Sequence, residues 1–265
     1  MIRARQTCFS LPERGRSHTG WIALALHGDH PVDLATAADA LSPDFIIHPQ
    51  RVLQVPTDPD DWRAVDGIIA AEVRQLLAQR DAFDQRIAVF PLAPVSACIS
   101  LGYHLTSRPH IRLFQYHRDE RNWAWPRLPA SAEDIGVAGV NGAPASANAV
   151  TFLFHFSSVI TDDVLAEVAA PLGARIDFRI PEPGTGWLRH QAQLILAAQE
   201  VRRAFERAMQ LFPGAATWHL FYAGPAPLAV AIGQQLNPTM YPNTQLYEYR
   251  HKESPRYRPS ICLGG

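Results

Sequence analysis

The chain has 265 residues, 47% of them hydrophobic, and its 24 Lys and Arg against 25 Asp and Glu leave a net charge of −1. That is ample for the core of one large domain or two small ones, and near-neutrality excludes a grip on long DNA or RNA through a basic face while still suiting a small ligand with few phosphates. Three scattered cysteines (Cys8, Cys98 and Cys262) suggest neither a disulfide framework nor a zinc site, and without a signal-peptide core or a membrane-length apolar run the chain reads as cytoplasmic, with no membrane partner.

Residues 1–19 are polar and arginine-rich, an irregular lead-in or an interaction arm. Residues 21–26 read as a strand, 27–31 as a loop and 33–41 as a short helix. Short extended pieces follow at 45–47 and 52–55. A long amphipathic helix spans 60–79, with Trp62, Val65, Ile69, Val73 and Leu76 at three-to-four spacing and Asp60 or Asp61 as its N-cap. Residues 87–90 are an apolar run, the pattern of a strand buried on both faces. The turn Pro91-Leu92-Ala93-Pro94 leads into an almost wholly apolar helix over residues 95–105, and 111–116 is a further strand. The stretch 123–148, rich in Pro, Gly, Ala and Ser, is the natural boundary.

The order then repeats. Residues 150–156 are a strand, 161–169 a helix capped by Thr161, 175–180 a strand and 181–186 a glycine-containing loop. A second long amphipathic helix covers 187–211. Strand 219–222, turn Ala223-Gly224-Pro225, apolar helix 226–236 and strand 244–249 close the chain. Phe90 and Phe221, Pro94 and Pro225, Gly102 and Gly233, and Leu105 and Leu236 all stand 131 residues apart. A fixed offset of half the chain means two copies of one supersecondary unit. Strand, helix and strand with short links imply parallel pairing and right-handed crossovers. The expected fold class is α/β, with two pseudo-symmetric Rossmann-like halves, 1–130 and 131–265, whose mostly parallel sheets are flanked by helices.

The paired motifs VFPLAP…LGYHL…FQYHRD…WAWP and HLFYAGPAPLAVAIGQQLN…QLYEYR resemble the SAVED domain, over about residues 21–263. That family consists of two fused CARF-like halves and occurs in CBASS and type III CRISPR antiphage systems. The resemblance implies a sensor of cyclic oligonucleotide messengers, cyclic tri- or tetra-adenylates in particular. It also implies head-to-tail self-association on ligand binding, and activation of a nuclease, TIR, protease or caspase-like effector. The chain shows no effector segment of useful length, so the effector is expected on another polypeptide or removed from this one.

In open parallel sheets ligands lie beyond the carboxyl ends of the strands, and two matched halves would bring their loops to one pocket. The turns Pro91-Leu92-Ala93-Pro94 and Ala223-Gly224-Pro225 allow close backbone approach before a helix N-terminus, whose amides suit an anion; tight strand-to-helix packing needs the same small residues. The strand exits Tyr116-His117-Arg118 and Tyr249-Arg250 supply guanidinium groups for phosphate. Trp123 and Trp125 follow, one expected as a base platform and the other as an anchor for the linker. His155, Phe156, Ser157 and Ser158 close another strand and could read base or ribose edges, although a histidine on an apolar strand is more often a core residue. Tyr222 is a candidate as well, although Tyr222, Tyr247 and Tyr257 also suit the core. None of the 11 histidines joins an HExxH, nucleophile-elbow or deaminase pattern. The reading is a binding protein with no catalytic residue, metal or cofactor. The alternative is a nucleotide-processing enzyme, a ring nuclease or hydrolase on the same fold, with His117 or Tyr116 assisting.

Overall fold

The computed structural model describes residues 20–78, 86–107, 109–126, 140–141 and 147–264. The first lobe runs β1 (Gly20–His27), α1 (Leu34–Leu41), β2 (Phe45–Gln54), α2 (Trp62–Leu77), β3 (Arg86–Leu92), α3 (Val95–Leu105) and β4 (His110–Leu113). The second runs β5 (Val140–Asn141), β6 (Ala149–His155), α4 (Asp162–Ala166), β7 (Ala174–Arg179), α5 (Gln191–Leu211), β8 (Thr217–Ala223), α6 (Ala226–Gln235), β9 (Asn243–Tyr249) and β10 (Tyr257–Leu263). Four parallel strands in the order β2-β1-β3-β4 make one sheet, and the other is ordered β10-β9-β8-β6-β7-β5. Its inner strands, β7-β6-β8-β9, are parallel and repeat the first order, while β5 and β10 are antiparallel additions at the edges.

The duplication reaches the side chains. Phe90 stacks on Phe114 at 4.7 Å and meets Trp123 edge-on at 5.3 Å. In the other lobe Phe221 stacks on Tyr247 at 4.2 Å and meets Tyr257 edge-on at 5.2 Å. Tyr116 and Tyr249 complete the two clusters, each 5.1 Å from the edge-on ring. Such offset and edge-to-face pairs add stability beyond the area they bury.

Both lobes meet through α3 and α6, and glycine decides how closely. A Cβ added to Gly102 would lie 1.9 Å from the carbonyl oxygen of Val230, and one added to Gly233 would lie 2.0 Å from that of Ile99. Ile99 and Val230 are themselves 131 residues apart, so the crossing is reciprocal about an approximate two-fold axis. Gln234 Nε2, near the end of α6, donates to the Thr106 carbonyl just past the end of α3 at 2.9 Å. The two helices therefore run in the same direction. Their remaining faces, among them Cys98, Leu101, Leu228 and Ile232, are buried in one core shared by both lobes.

Several boundaries differ from expectation. β2 is one strand rather than two pieces, since as an edge strand it tolerates Pro49; its register shifts there, with Ile22 opposite Ile47 but Leu24 opposite Arg51. β4 ends at Leu113 rather than residue 116, and His117 then bridges Asn122 in a small turn. α4 stops at Ala166, short of residue 169, with Pro171 close behind disfavouring helical backbone before it. Thr161 occupies the N-cap position, but its hydroxyl donates to the Asp163 carboxylate instead of capping. α5 begins at Gln191 rather than 187, because Gln193 Oε1 turns back to accept from the amides of Arg189 and His190, both at 2.9 Å. Asp61 is the N-cap of α2 and accepts from the Ala64 amide at 3.0 Å. β10 is an addition that the sequence reading did not contain. The expected boundary at 130/131 and the arm at 1–19 lie outside the described residues.

The helix crossing predicts opposite outcomes for two glycines on neighbouring helices. Gly102→Ala should lower unfolding free energy by roughly 1–3 kcal/mol through overpacking against a rigid carbonyl. Gly67→Ala, on α2 with nothing within 4 Å of the added carbon, should raise it by up to about 1 kcal/mol through helix propensity. Urea unfolding midpoints of the two variants check both signs.

Candidate functional site

β3 and β8 deliver the N-termini of α3 and α6 to one end of the molecule, where the carboxyl ends of both parallel sheets also lie. The α3 terminus is already filled. Glu248, on β9 of the other lobe, accepts from the amides of Val95 at 3.3 Å and Ser96 at 2.8 Å, satisfying donors that a helix leaves open. Ser96 Oγ also hydrogen-bonds Ser260 Oγ at 2.7 Å. Glu248 is 8% exposed. Burial raises its carboxyl pKa above the usual range, and the bonds from Ser96, the charge of Arg250 and the Val95 amide oppose that rise without cancelling it.

Two residues further on, Arg250 Nη1 donates to the Thr57 carbonyl at 3.0 Å and Nη2 lies 2.6 Å from the Asp58 carboxylate. The end of β9 is thus tied to the loop between β2 and α2. On this side the seam is closed by charge-paired groups.

The approximate two-fold axis has a different outcome on the other side. Strand registers (Val89 opposite Leu113, Leu220 opposite Leu246) make Gln115 the counterpart of Glu248 and His117 the counterpart of Arg250. Gln115 Nε2 donates to the Tyr116 carbonyl at 2.8 Å, whereas its Oε1 is buried with no hydrogen-bond partner among the described residues. The same holds for His117 Nε2 and Trp187 Nε1, while the His190 side chain turns back to the Gln193 backbone in the capping box of α5. Trp187 stacks on Phe156 at 5.4 Å, and the His117 ring stands edge-on to Trp125 at 5.8 Å. Burial lowers the His117 pKa; Glu120 opposes this and the neighbouring His190 adds to it. His117 is therefore a neutral imidazole at pH 7.

The residues singled out from the sequence fall into two groups. Arg118 is exposed, and no hydrogen bond or ion pair joins it to another described residue; Tyr116 beside it is half-buried. Trp125 is half-buried, with Nε1 donating to the Leu113 carbonyl at 3.0 Å. Ser157 is half-buried, while Ser158 and Tyr249 are exposed. Leu92, Ala93, Pro94, Ala223, Gly224 and Pro225 lie half-buried along the two turns, with Pro91 buried beneath them. The others are packing residues. Trp123 is 1% exposed within the repeated aromatic cluster, and Phe156 is buried among Phe154, Phe178 and Tyr222. Tyr222 is buried too, and its hydroxyl closes the turn by donating to the Pro225 carbonyl at 2.7 Å.

His155 is wholly buried, its Nδ1 accepting from the Ile160 amide at 2.9 Å and its Nε2 donating to Asp177 at 3.0 Å. Both of its ring nitrogens are spent. Burial alone would raise the Asp177 pKa, but the bonds from His155 and Arg175 outweigh it and hold the carboxyl at about 2. Arg250, expected at phosphate, is committed to Asp58 and Thr57, and the α3 amides to Glu248.

Sequence reasoning missed Glu248, Gln115, Trp187 and His190. For Glu248 a signal existed: in the strand run TQLYEY it shares the alternate-residue face of Leu246, where an acid needs partners.

A cavity of about 290 Å³ lined by Thr151, Asp162, Leu165, Gly173 and Arg175 lies at the opposite, amino end of β6 and β7. Among the described residues no group of three or more His, Cys, Asp or Glu is placed to hold a metal ion, and no helix is long and apolar enough to cross a membrane.

Comparison with known proteins gives a consistent picture. Residues 69–263 match the model of SAVED, the "SMODS-associated and fused to various effectors sensor domain". The fold resembles the Acinetobacter baumannii Cap4 SAVED/CARF-domain receptor solved with the cyclic trinucleotide 2′3′3′-cAAA, at a TM-score of 0.63 and 15% identity, over 92% of this chain and 52% of that one. The same receptor with 3′3′3′-cAAA gives 0.61 at 14% identity, again over 92% and 52%. The Moraxella osloensis Cap4 receptor gives 0.54 at 15% identity, over 92% and 50%. The chain therefore spans about half the length of the solved structures it matches. No curated protein matches it.

The buried carboxyl of Glu248 sets a pH dependence with a defined sign. Its folded pKa lies above the unfolded value near 4.5, so folding takes up a proton between the two. The resulting stabilisation is complete below the unfolded pKa and is lost as pH rises through the folded one. Thermal melts from pH 4 upward should show that decline in the wild type and a flatter profile in Glu248→Gln.

Proposed function

The chain belongs to the SAVED family, and from that premise we propose that it is a sensor that seats a cyclic oligonucleotide in the seam between its two lobes. The expected ligand is a ring of adenylates, three or four in number. The observation that carries this reading is the reciprocal crossing at Gly102 and Gly233. It sets two sets of strand ends side by side around an approximate two-fold axis, the arrangement that suits a small ring of repeating units better than a linear nucleotide.

Arg118, in the turn after β4, is an exposed guanidinium that needs no other partner displaced before it meets a phosphate, and Trp125, edge-on to the neighbouring His117, offers a half-buried ring. The pairing of cyclic trinucleotides with the similar Cap4 receptors supports the same ligand class. Binding is expected to drive head-to-tail association of protomers and so to activate an effector in antiphage defence. The effector would be carried on another chain or on a part of the protein outside this sequence. Association follows only if the ring binds the assembled state more tightly than the single protomer, since a ligand of equal affinity for both shifts nothing.

Light scattering after size exclusion, run with cyclic di-, tri- and tetra-adenylates, should show a larger species with one of the latter two. The absence of a shift and of calorimetric binding with every ring would overturn the proposal. Arg118→Ala should weaken binding about tenfold or more, the worth of one charge-assisted hydrogen bond, without altering the melting temperature.

A further inference from the structure

We infer that Gln115, His117 and Trp187 form a hydrogen-bonding subsite that reads the edge of one adenine base of the ring; this rests on the function proposed above. Three buried polar atoms without partners among the described residues are costly in a folded protein. They stand on segments that follow β4 and precede α5, one from each lobe, which come close enough for His190 to bias the charge of His117. Across the two-fold axis the same positions carry Glu248 and Arg250, whose partners are the α3 amides, Thr57 and Asp58. There the protein satisfies its own groups. On this side the corresponding side chains are an amide and an imidazole, and nothing among the described residues answers them.

The chemistry left over is specific. Gln115 has its amide nitrogen on the Tyr116 carbonyl, so the buried atom still seeking a partner is an acceptor and calls for a donor such as an exocyclic amine. Trp187 Nε1–H can only donate, and so calls for a ring nitrogen. The His117 imidazole, neutral through burial, can take either role and carries no charge to hold a phosphate. An adenine edge, with its amine beside ring nitrogens, answers this set. Hypoxanthine, with an oxygen in place of the amine, would set two acceptors against each other at Gln115. Trp187 stacked on Phe156 holds the donor in place, and Trp125 backs the His117 ring.

The test is calorimetric titration of the full chain with cyclic tri-adenylate and with the same ring carrying hypoxanthine. Wild type should prefer adenine by roughly tenfold or more, because a site built to bond an amine leaves its buried acceptor unpaired against the oxygen. Gln115→Met should bind the two rings within about twofold of each other. Trp187→Phe, which keeps the stacked ring and loses the donor, should bind the adenine ring about tenfold less tightly. Equal wild-type affinity for the two rings overturns the subsite without any variant, as does unchanged affinity and selectivity in both variants. In either case ring binding itself stands. A wild type that binds neither these rings nor any other cyclic adenylate overturns the proposed function, and the subsite with it.

Discussion

The structure depends on how closely two helices can approach. α3 and α6 pass backbone against backbone because each presents a glycine to the other, with the carbonyl of Val230 occupying the space of a Gly102 side chain and that of Ile99 the space of a Gly233 side chain. Any larger residue would push the lobes apart, and the shared core beneath them with it. Because the contact is reciprocal it imposes an approximate two-fold axis. Because the helices run in the same direction, that axis brings both helix N-termini and both sets of strand carboxyl ends to one face. The placement of these strand ends thus follows from a packing constraint between two helices.

Symmetry of backbone does not carry over into symmetry of charge. One side of the seam is self-satisfied: a buried carboxylate caps a helix of the opposite lobe, and a guanidinium is paired with Asp58. On the other side those groups are replaced by Gln115 and His117, and the facing loop supplies Trp187 and His190. Of the charged groups only Glu248 is buried; Asp58 is exposed, so the Arg250–Asp58 pair itself adds little stability. The charged side therefore joins the lobes through the Glu248 bonds to α3 and the Arg250 bonds to the loop before α2. Elsewhere the His155–Asp177–Arg175 network does comparable structural work within one lobe, joining β6 and β7 to the start of α4 through Arg175 and Asp162.

Much of the architecture was legible in the chain. Continuous apolar runs at 87–90 and 219–222, each followed by a proline-bearing turn and an apolar helix, gave the parallel units. The offset of 131 residues gave the duplication. Edges were less legible: Tyr257–Leu263 lacks a clean alternation and carries Pro259 beside its register shift, so nothing local marks it as a strand. Placing a site at the strand exits is a topological expectation, whereas what each side chain is free to do depends on the groups that face it, some a few residues away and some, as for Glu248 and Arg250, more than 150. Arg250 and His155 carry suitable chemistry and are spent on protein partners, whereas Gln115 and Trp187 look ordinary in sequence and stand out only because a polar atom of each is buried without a partner among the described residues. Trp123 is the instructive case, since its counterpart Tyr257 only becomes visible once the two aromatic clusters are superposed.

The central claim is that a ring-shaped ligand sits between the lobes at this face. Hydrogen–deuterium exchange with and without saturating cyclic tri-adenylate tests it directly. The account predicts slowed exchange in residues 115–126 and 181–190 together, one segment from each lobe. Protection confined to a single lobe, or centred on the cavity at the amino end of β6 and β7, would contradict it.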